Sequence, residues 1–94
     1  MKYFKIIEFT ESETAKAKGI NNNCEDWQIG NVVEMVDELL DPLREAWGIY
    51  CKENNLGSAA LRVTSGIRSK KLNEAVGGSK TSSHYLGYAA DLKP

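Results

Sequence analysis

Between Val32 and Tyr50 the apolar residues Val32, Met35, Val36, Leu39, Leu43, Ala46, Trp47 and Tyr50 recur at steps of three and four. Such steps place them on one face of an α-helix. In a chain of 94 residues so long a helix needs a surface to cover its apolar face, and too little sequence remains for more than one core. Asn31 followed by Glu34 has the spacing of a capping box, and "NNLG" marks the other end. Pro42 lies inside the pattern, where it removes a backbone donor and crowds the preceding turn. The apolar phase runs on across it, which predicts one helix over 31–54, kinked near Asp41.

The surface for that helix is sought in the rest of the chain. "SAALRVTS", residues 58–65, alternates as a strand, with Leu61 and Val63 on one face and Arg62 and Thr64 on the other. A strand bearing Asp91 is expected beside it. Residues 3–9, "YFKIIEF", read as extended and partly buried, as an edge strand or an apolar arm. Thr10 and Glu13 have capping-box spacing, so a short helix over 11–18 should come next and stop at Gly19. Residues 20–31, "INNNCEDWQIGN", are a loop by composition, anchored by Trp27 and Ile29. A second short helix over 69–76 ends at Gly77-Gly78. The expected fold class is α+β, with helices packed on a small, mostly antiparallel sheet, in a single domain over 1–94.

Twelve basic and thirteen acidic residues are mixed along the chain, for a net charge of −1. That leaves no electrostatic footprint for nucleic acid or an anionic membrane, and neither is expected as a partner. No apolar run approaches the roughly 18 residues of a membrane span. The start, "MKYFKIIEFTESE", is too short and polar for a secretory signal, so work outside a cell would need another route of release. Cys24 and Cys51 lack C-x-x-C spacing. Cys51 falls on the apolar side of the long helix and reads as buried filler, Cys24 sits in the polar loop, and no disulfide is called for.

Chemistry concentrates in the last third, "VTSGIRSKKLNEAVGGSKTSSHYLGYAADLKP". Gly66, Gly77-Gly78 and Gly87 are interleaved there with Ser65, Arg68, Ser82, Ser83, His84 and Asp91. His84 is the one histidine of the chain, and Asp91 lies seven residues beyond it. Taken singly, His84 reads as a solvent-facing or hydrogen-bonded histidine and Asp91 as a cap or surface acid. Taken together, an imidazole and a carboxylate can serve as two ligands to zinc. Their spacing is not that of a helical ligand pair and suits a loop and a strand that converge.

The pattern S-x-H-x-x-G-x-A-x-D is met by Ser82, His84, Gly87, Ala89 and Asp91, and "SGIRS" and "LNEAVGGS" stand upstream of it. In these segments the chain resembles the zinc D-Ala-D-Ala carboxypeptidase family of peptidoglycan peptidases, which shares its metal-site fold with the amino-terminal domain of hedgehog proteins. "ESETA" and "LLDPLRE" extend the likeness toward the small, phage-associated branch. The resemblance implies that His84 and Asp91 are zinc ligands. It implies that Arg68 faces the substrate, where its planar fork would hold a carboxylate or the oxyanion of a tetrahedral intermediate. Ser82 would support the site by hydrogen bonding. Structural alternatives stay open, a salt bridge for Arg68 and a turn for Ser82.

The family's third zinc ligand is a histidine downstream of the Asp, with a general-base carboxylate close before it, and these 94 residues hold no second histidine. The chain is expected to be a truncated form of a longer protein, or else the descendant of a peptidase that lost that half. The leading expectation is a zinc peptidase domain acting on peptidoglycan stem peptides, weakly active or inactive as it stands. Its rivals are a non-catalytic module that grips cell-wall peptides and, further off, a metal-free interaction domain.

Overall fold

The computed structural model describes all residues 1–94. In chain order it contains α1 (Ile6–Thr10), α2 (Glu13–Lys18), α3 (Asp26–Met35), a π turn (Val36–Leu40), α4 (Asp41–Glu53), β1 (Arg62–Ser65), α5 (Lys70–Ala75), α6 (Ser83–Leu86) and β2 (Asp91–Lys93). The helices are combined with one two-stranded antiparallel sheet, so the α+β expectation holds. No helix is long and apolar enough to cross a membrane.

The strands pair Arg62 with Lys93, Val63 with Leu92 and Ser65 with Asp91. Thr64 is the extra residue of a bulge between the last two pairs, and its hydroxyl donates to the Asp91 carbonyl at 3.2 Å. A bulge bends its strand and re-aims the residues beyond it. Here it sets Asp91 opposite Ser65, at the end of β1 that leads into Gly66 and Arg68. Leu61, Val63, Ala90 and Leu92 pack against a core of Phe4, Phe9, Val32, Met35, Val36, Leu40 and Ile67.

The amino-terminal segment departs from the extended reading. Glu8 accepts a hydrogen bond from the Lys5 backbone N–H at 2.6 Å, which starts the single turn of α1. That turn brings Phe4 and Phe9 together inside the core, their ring centroids 5.8 Å apart. Ser12, not Thr10, caps α2, accepting from the Ala15 N–H at 3.1 Å. Gly19 closes α2 in the left-handed region, as expected.

The long helix begins five residues earlier than its Asn31 signal, at Asp26, because Gln28 caps it by accepting from the Glu25 N–H at 2.9 Å. The kink expected near Asp41 takes the form of the π turn, in which the Asp41 N–H reaches back to the Val36 carbonyl. This wider turn precedes Pro42, whose ring would crowd an ordinary α turn. A turn closed by i→i+5 bonds holds an extra residue, so the apolar stripe beyond it falls on another face. Val32 and Val36 are buried as expected, and Leu40 is 5% exposed. Leu39 is 58% exposed, Leu43 and Tyr50 are exposed, and Trp47 is half-buried. These four leave the core to which the periodicity assigned them. Trp47 stacks on Tyr50 instead. Cys51 is buried as expected, and both cysteines are free.

Candidate metal and substrate site

His84 lies on the one-turn helix α6, and Asp91 opens β2. Gly87 ends α6 at φ 87°, a conformation that costs a glycine least. A side chain there would also meet the Gln28 carbonyl at 2.6 Å. The chain therefore turns at once and returns toward the sheet edge, which brings His84 Nε2 to 3.8 Å from Asp91 Oδ2. His84 Nδ1 is 2.7 Å from the Gly66 carbonyl oxygen. A carbonyl only accepts, so Nδ1 carries a proton, and in the neutral ring the lone pair then sits on Nε2, facing the carboxylate.

That is the donor arrangement of a metal-ligating histidine, with its second nitrogen tied to a backbone oxygen. Two ligands held about 2.0–2.1 Å from a tetrahedral zinc stand roughly 3.3–3.4 Å apart, so the pair meets that spacing by closing a few tenths of an ångström. Asp91 is exposed at the rim, whereas His84 is largely covered. The two fit half of a zinc shell. No group of three His, Cys, Asp or Glu side chains in the molecule is placed to hold an ion.

Arg68 and Ser82 also come together, with Arg68 Nη2 donating to Ser82 Oγ at 2.8 Å. Arg68 forms none of the molecule's ion pairs, so the salt-bridge alternative for it has no partner here. Its backbone N–H donates to the His84 carbonyl at 3.0 Å, joining the arginine segment to the histidine helix. Arg68 borders a cavity of about 260 Å³ with Ser65, Gly66, Leu72 and the acids Glu11 and Glu13.

What the sequence reading missed is the scaffold that holds these loops. Three side-chain amides come from the stretch classed as loop by composition. Gln28, 2% exposed, donates to the carbonyls of Arg68 at 2.9 Å and Tyr85 at 2.7 Å. Asn22 donates to Thr10 and Ile67 carbonyls and accepts from the Ser69 N–H. Asn31 donates to the Leu86 carbonyl and accepts from the Tyr88 hydroxyl. Asn22 thus clamps backbone on both sides of Arg68, Gln28 ties the Arg68 carbonyl to that of Tyr85 beside His84, and Asn31 holds the Leu86 carbonyl two residues beyond His84. Asparagines and a glutamine beside a tryptophan were the available signal, and turn propensity masked it.

The profile of peptidase M15 matches residues 2–94, all but the first residue of the chain. The chain belongs to the peptidase M15 family. It is also similar to the zinc D-Ala-D-Ala carboxypeptidase of Streptomyces albus G, at 33% identity over 72 residues. Those residues cover 76% of this chain and 28% of that protein, so the chain spans less than a third of that relative's length. No solved structure matches it significantly.

Proposed function

We propose that the chain is the zinc-binding part of a peptidase acting on peptidoglycan stem peptides, with His84 and Asp91 as two metal ligands and Arg68 gripping a substrate carboxylate. The observation that carries this reading is the His84–Asp91 pair at 3.8 Å, with Nδ1 committed to Gly66 and Nε2 left free. Zinc at such a site supplies Lewis acidity and a bound water of lowered pKa. His84 contributes a neutral nitrogen donor whose ring orientation is fixed by the Gly66 carbonyl. Asp91 contributes a carboxylate that its strand register holds at the rim. Arg68 offers N–H donors to a carboxylate or oxyanion, with Ser82 steadying one end of the guanidinium. The zinc carboxypeptidase named among the relatives supports this assignment by its own name.

A second reading, a module that binds cell-wall peptides without cutting them, is favoured by one feature: the donor set in these residues stops at two. Calorimetric titration with zinc, on the chain and on His84→Ala, tests the metal assignment. One-to-one binding lost in the variant supports it, and equal affinity in both removes His84 from the site. New amino termini formed when the zinc-loaded chain is incubated with purified muropeptides would establish cleavage, whereas muropeptides bound intact, with the same affinity after zinc is removed, would favour the binding module.

A further inference from the structure

Asn73 lies on α5 and is 3% exposed. Its amide nitrogen donates to the carbonyls of Gly78 at 3.2 Å and Ser79 at 3.0 Å, and its backbone carbonyl accepts from the Gly78 N–H at 2.8 Å. Both amide hydrogens are thus committed, which fixes the amide plane and leaves Oδ1 pointing the other way. Oδ1 is buried and has no hydrogen-bond partner. A buried acceptor without a donor is unfavourable, and each one in a folded protein calls for a reason.

Gly78 supplies that reason. A Cβ built on it would collide with Asn73 Oδ1, and would lie 3.0 Å from Arg68 Nη1. The unpaired oxygen and the guanidinium nitrogen therefore both border the space that a methyl group would fill. Gly78 does not have the positive φ seen at Gly77, so its need for glycine is one of space. On the opposite side, Arg68 Nη2 is already held by Ser82 Oγ.

We infer that Asn73 is a positioning residue for Arg68. When the guanidinium engages a carboxylate, Nη1 closes on Asn73 Oδ1 through the gap at Gly78, while Ser82 keeps Nη2. The arginine is then fixed at both ends, and its remaining N–H groups are aimed at the ligand. The free protein keeps an unsatisfied acceptor that only the engaged arginine satisfies. The energy of pairing it is recovered on ligand binding and adds to affinity for a carboxylate. This rests on the reading of Arg68 as the group that grips the substrate carboxylate.

The test compares two probes by calorimetry on the whole chain: an N-acetylated tripeptide ending in D-alanyl-D-alanine, and the same tripeptide with its terminus amidated. The acid should bind roughly tenfold or more tightly than the amide, as a charge-assisted hydrogen bond implies. Gly78→Ala fills the gap and should erase most of that preference while leaving binding of the amide unchanged. In an Arg68→Lys background it should have no further effect on the acid. If the acid and amide bind alike to the unaltered chain, Arg68 grips no carboxylate and both readings fall. If the preference survives Gly78→Ala, or if both probes weaken equally, only the role of Asn73 falls. Because the variant can fail to fold, the unaltered protein saturated with the acid gives an independent readout. A scalar coupling through the hydrogen bond from Arg68 Nη1 to Asn73 Cγ should be seen by NMR, and its absence overturns the inference.

Discussion

His84 Nδ1 rests 2.7 Å from the carbonyl oxygen of Gly66, so the orientation of the one imidazole in the chain is set by a backbone segment 18 residues away. Gly66 is itself locked in place. A Cβ there would collide with the Phe9 carbonyl and lie 2.7 Å from the Phe9 Cα, and the next residue, Ile67, donates its N–H to the same Phe9 carbonyl at 2.9 Å. The clash is with backbone, which cannot rotate aside. Gly66→Ala should therefore cost about 1–3 kcal/mol in urea unfolding and should lower zinc affinity as well, since the carbonyl that aims His84 must move. Unchanged stability and unchanged zinc binding would contradict this linkage between the α1 turn and the histidine.

The π turn before Pro42 predicts a sharp difference between neighbours. Leu40 is buried against the core and Leu39 is not. Leu40→Ala should destabilise the protein by roughly 2–5 kcal/mol, while Leu39→Ala, a surface change, should stay within about 0.5 kcal/mol. Urea midpoints of the two variants measure this directly. The opposite ranking would restore an uninterrupted apolar stripe through the proline.

How much of this was legible depended on whether the signal was local. The alternation of Leu61 and Val63 leading through β1, the Gly19 stop and the burial of Val32 and Val36 come from period and turn chemistry, which act between near neighbours. The displacement of Leu39, Leu43 and Tyr50 does not. Periodicity assumes a constant number of residues per turn, and the helix changes that number just where Pro42 demands it. Asn22, Gln28 and Asn31 escaped for a different reason. An amide that clamps a distant carbonyl looks, in sequence, the same as one that favours a turn. His84, Asp91, Arg68 and Ser82 could be named from their pattern, but which pairs meet rests on the Thr64 bulge and the Gly87 reversal. The opposition of Asn73 and Arg68 across Gly78 has no signature in the sequence beyond a glycine whose purpose is space.

Cys24 should be a poor nucleophile. Burial pushes its thiol up from 9.0 to about 11, because the thiolate is the form that loses hydration. Below both values the thiolate fraction falls roughly a hundredfold for a shift of that size, and alkylation proceeds through the thiolate. Iodoacetamide at pH 8 should label Cys24 far more slowly in the folded chain than in urea, with the rate in the folded chain climbing as the pH rises toward 11. Cys51, buried in the fold, should stay unlabelled until the protein unfolds. Fast labelling of Cys24 at pH 8 under native conditions would show that its segment is open to solvent.

Gln28 offers the most direct test of the amide scaffold. Its Nε2 holds the Arg68 and Tyr85 carbonyls together, and its Oε1 caps α3 through the Glu25 N–H. Gln28→Leu keeps the bulk and removes the donor, leaving buried carbonyls unpaired at about 1–3 kcal/mol each. Gln28→Glu is the sharper variant. Its first oxygen still caps the helix, but the second, if ionised, faces two carbonyl oxygens in a buried place. Desolvation and repulsion both favour the protonated form, so the folded-state pKa of this carboxyl should lie above the ordinary glutamate value near 4.3. With a raised folded pKa, the protonated carboxyl is retained more strongly by the folded state, so stability is gained as the pH falls through that raised value toward 4.3 and is lost as it rises. The urea midpoint of Gln28→Glu should therefore lie well below that of the unaltered protein at pH 7 and should recover in part at pH 5 and further toward pH 4, as the carboxyl proton is donated to one of the two carbonyls. A midpoint equal to that of the unaltered protein at both pH values would mean that the Arg68 and Tyr85 backbones are held together without Gln28.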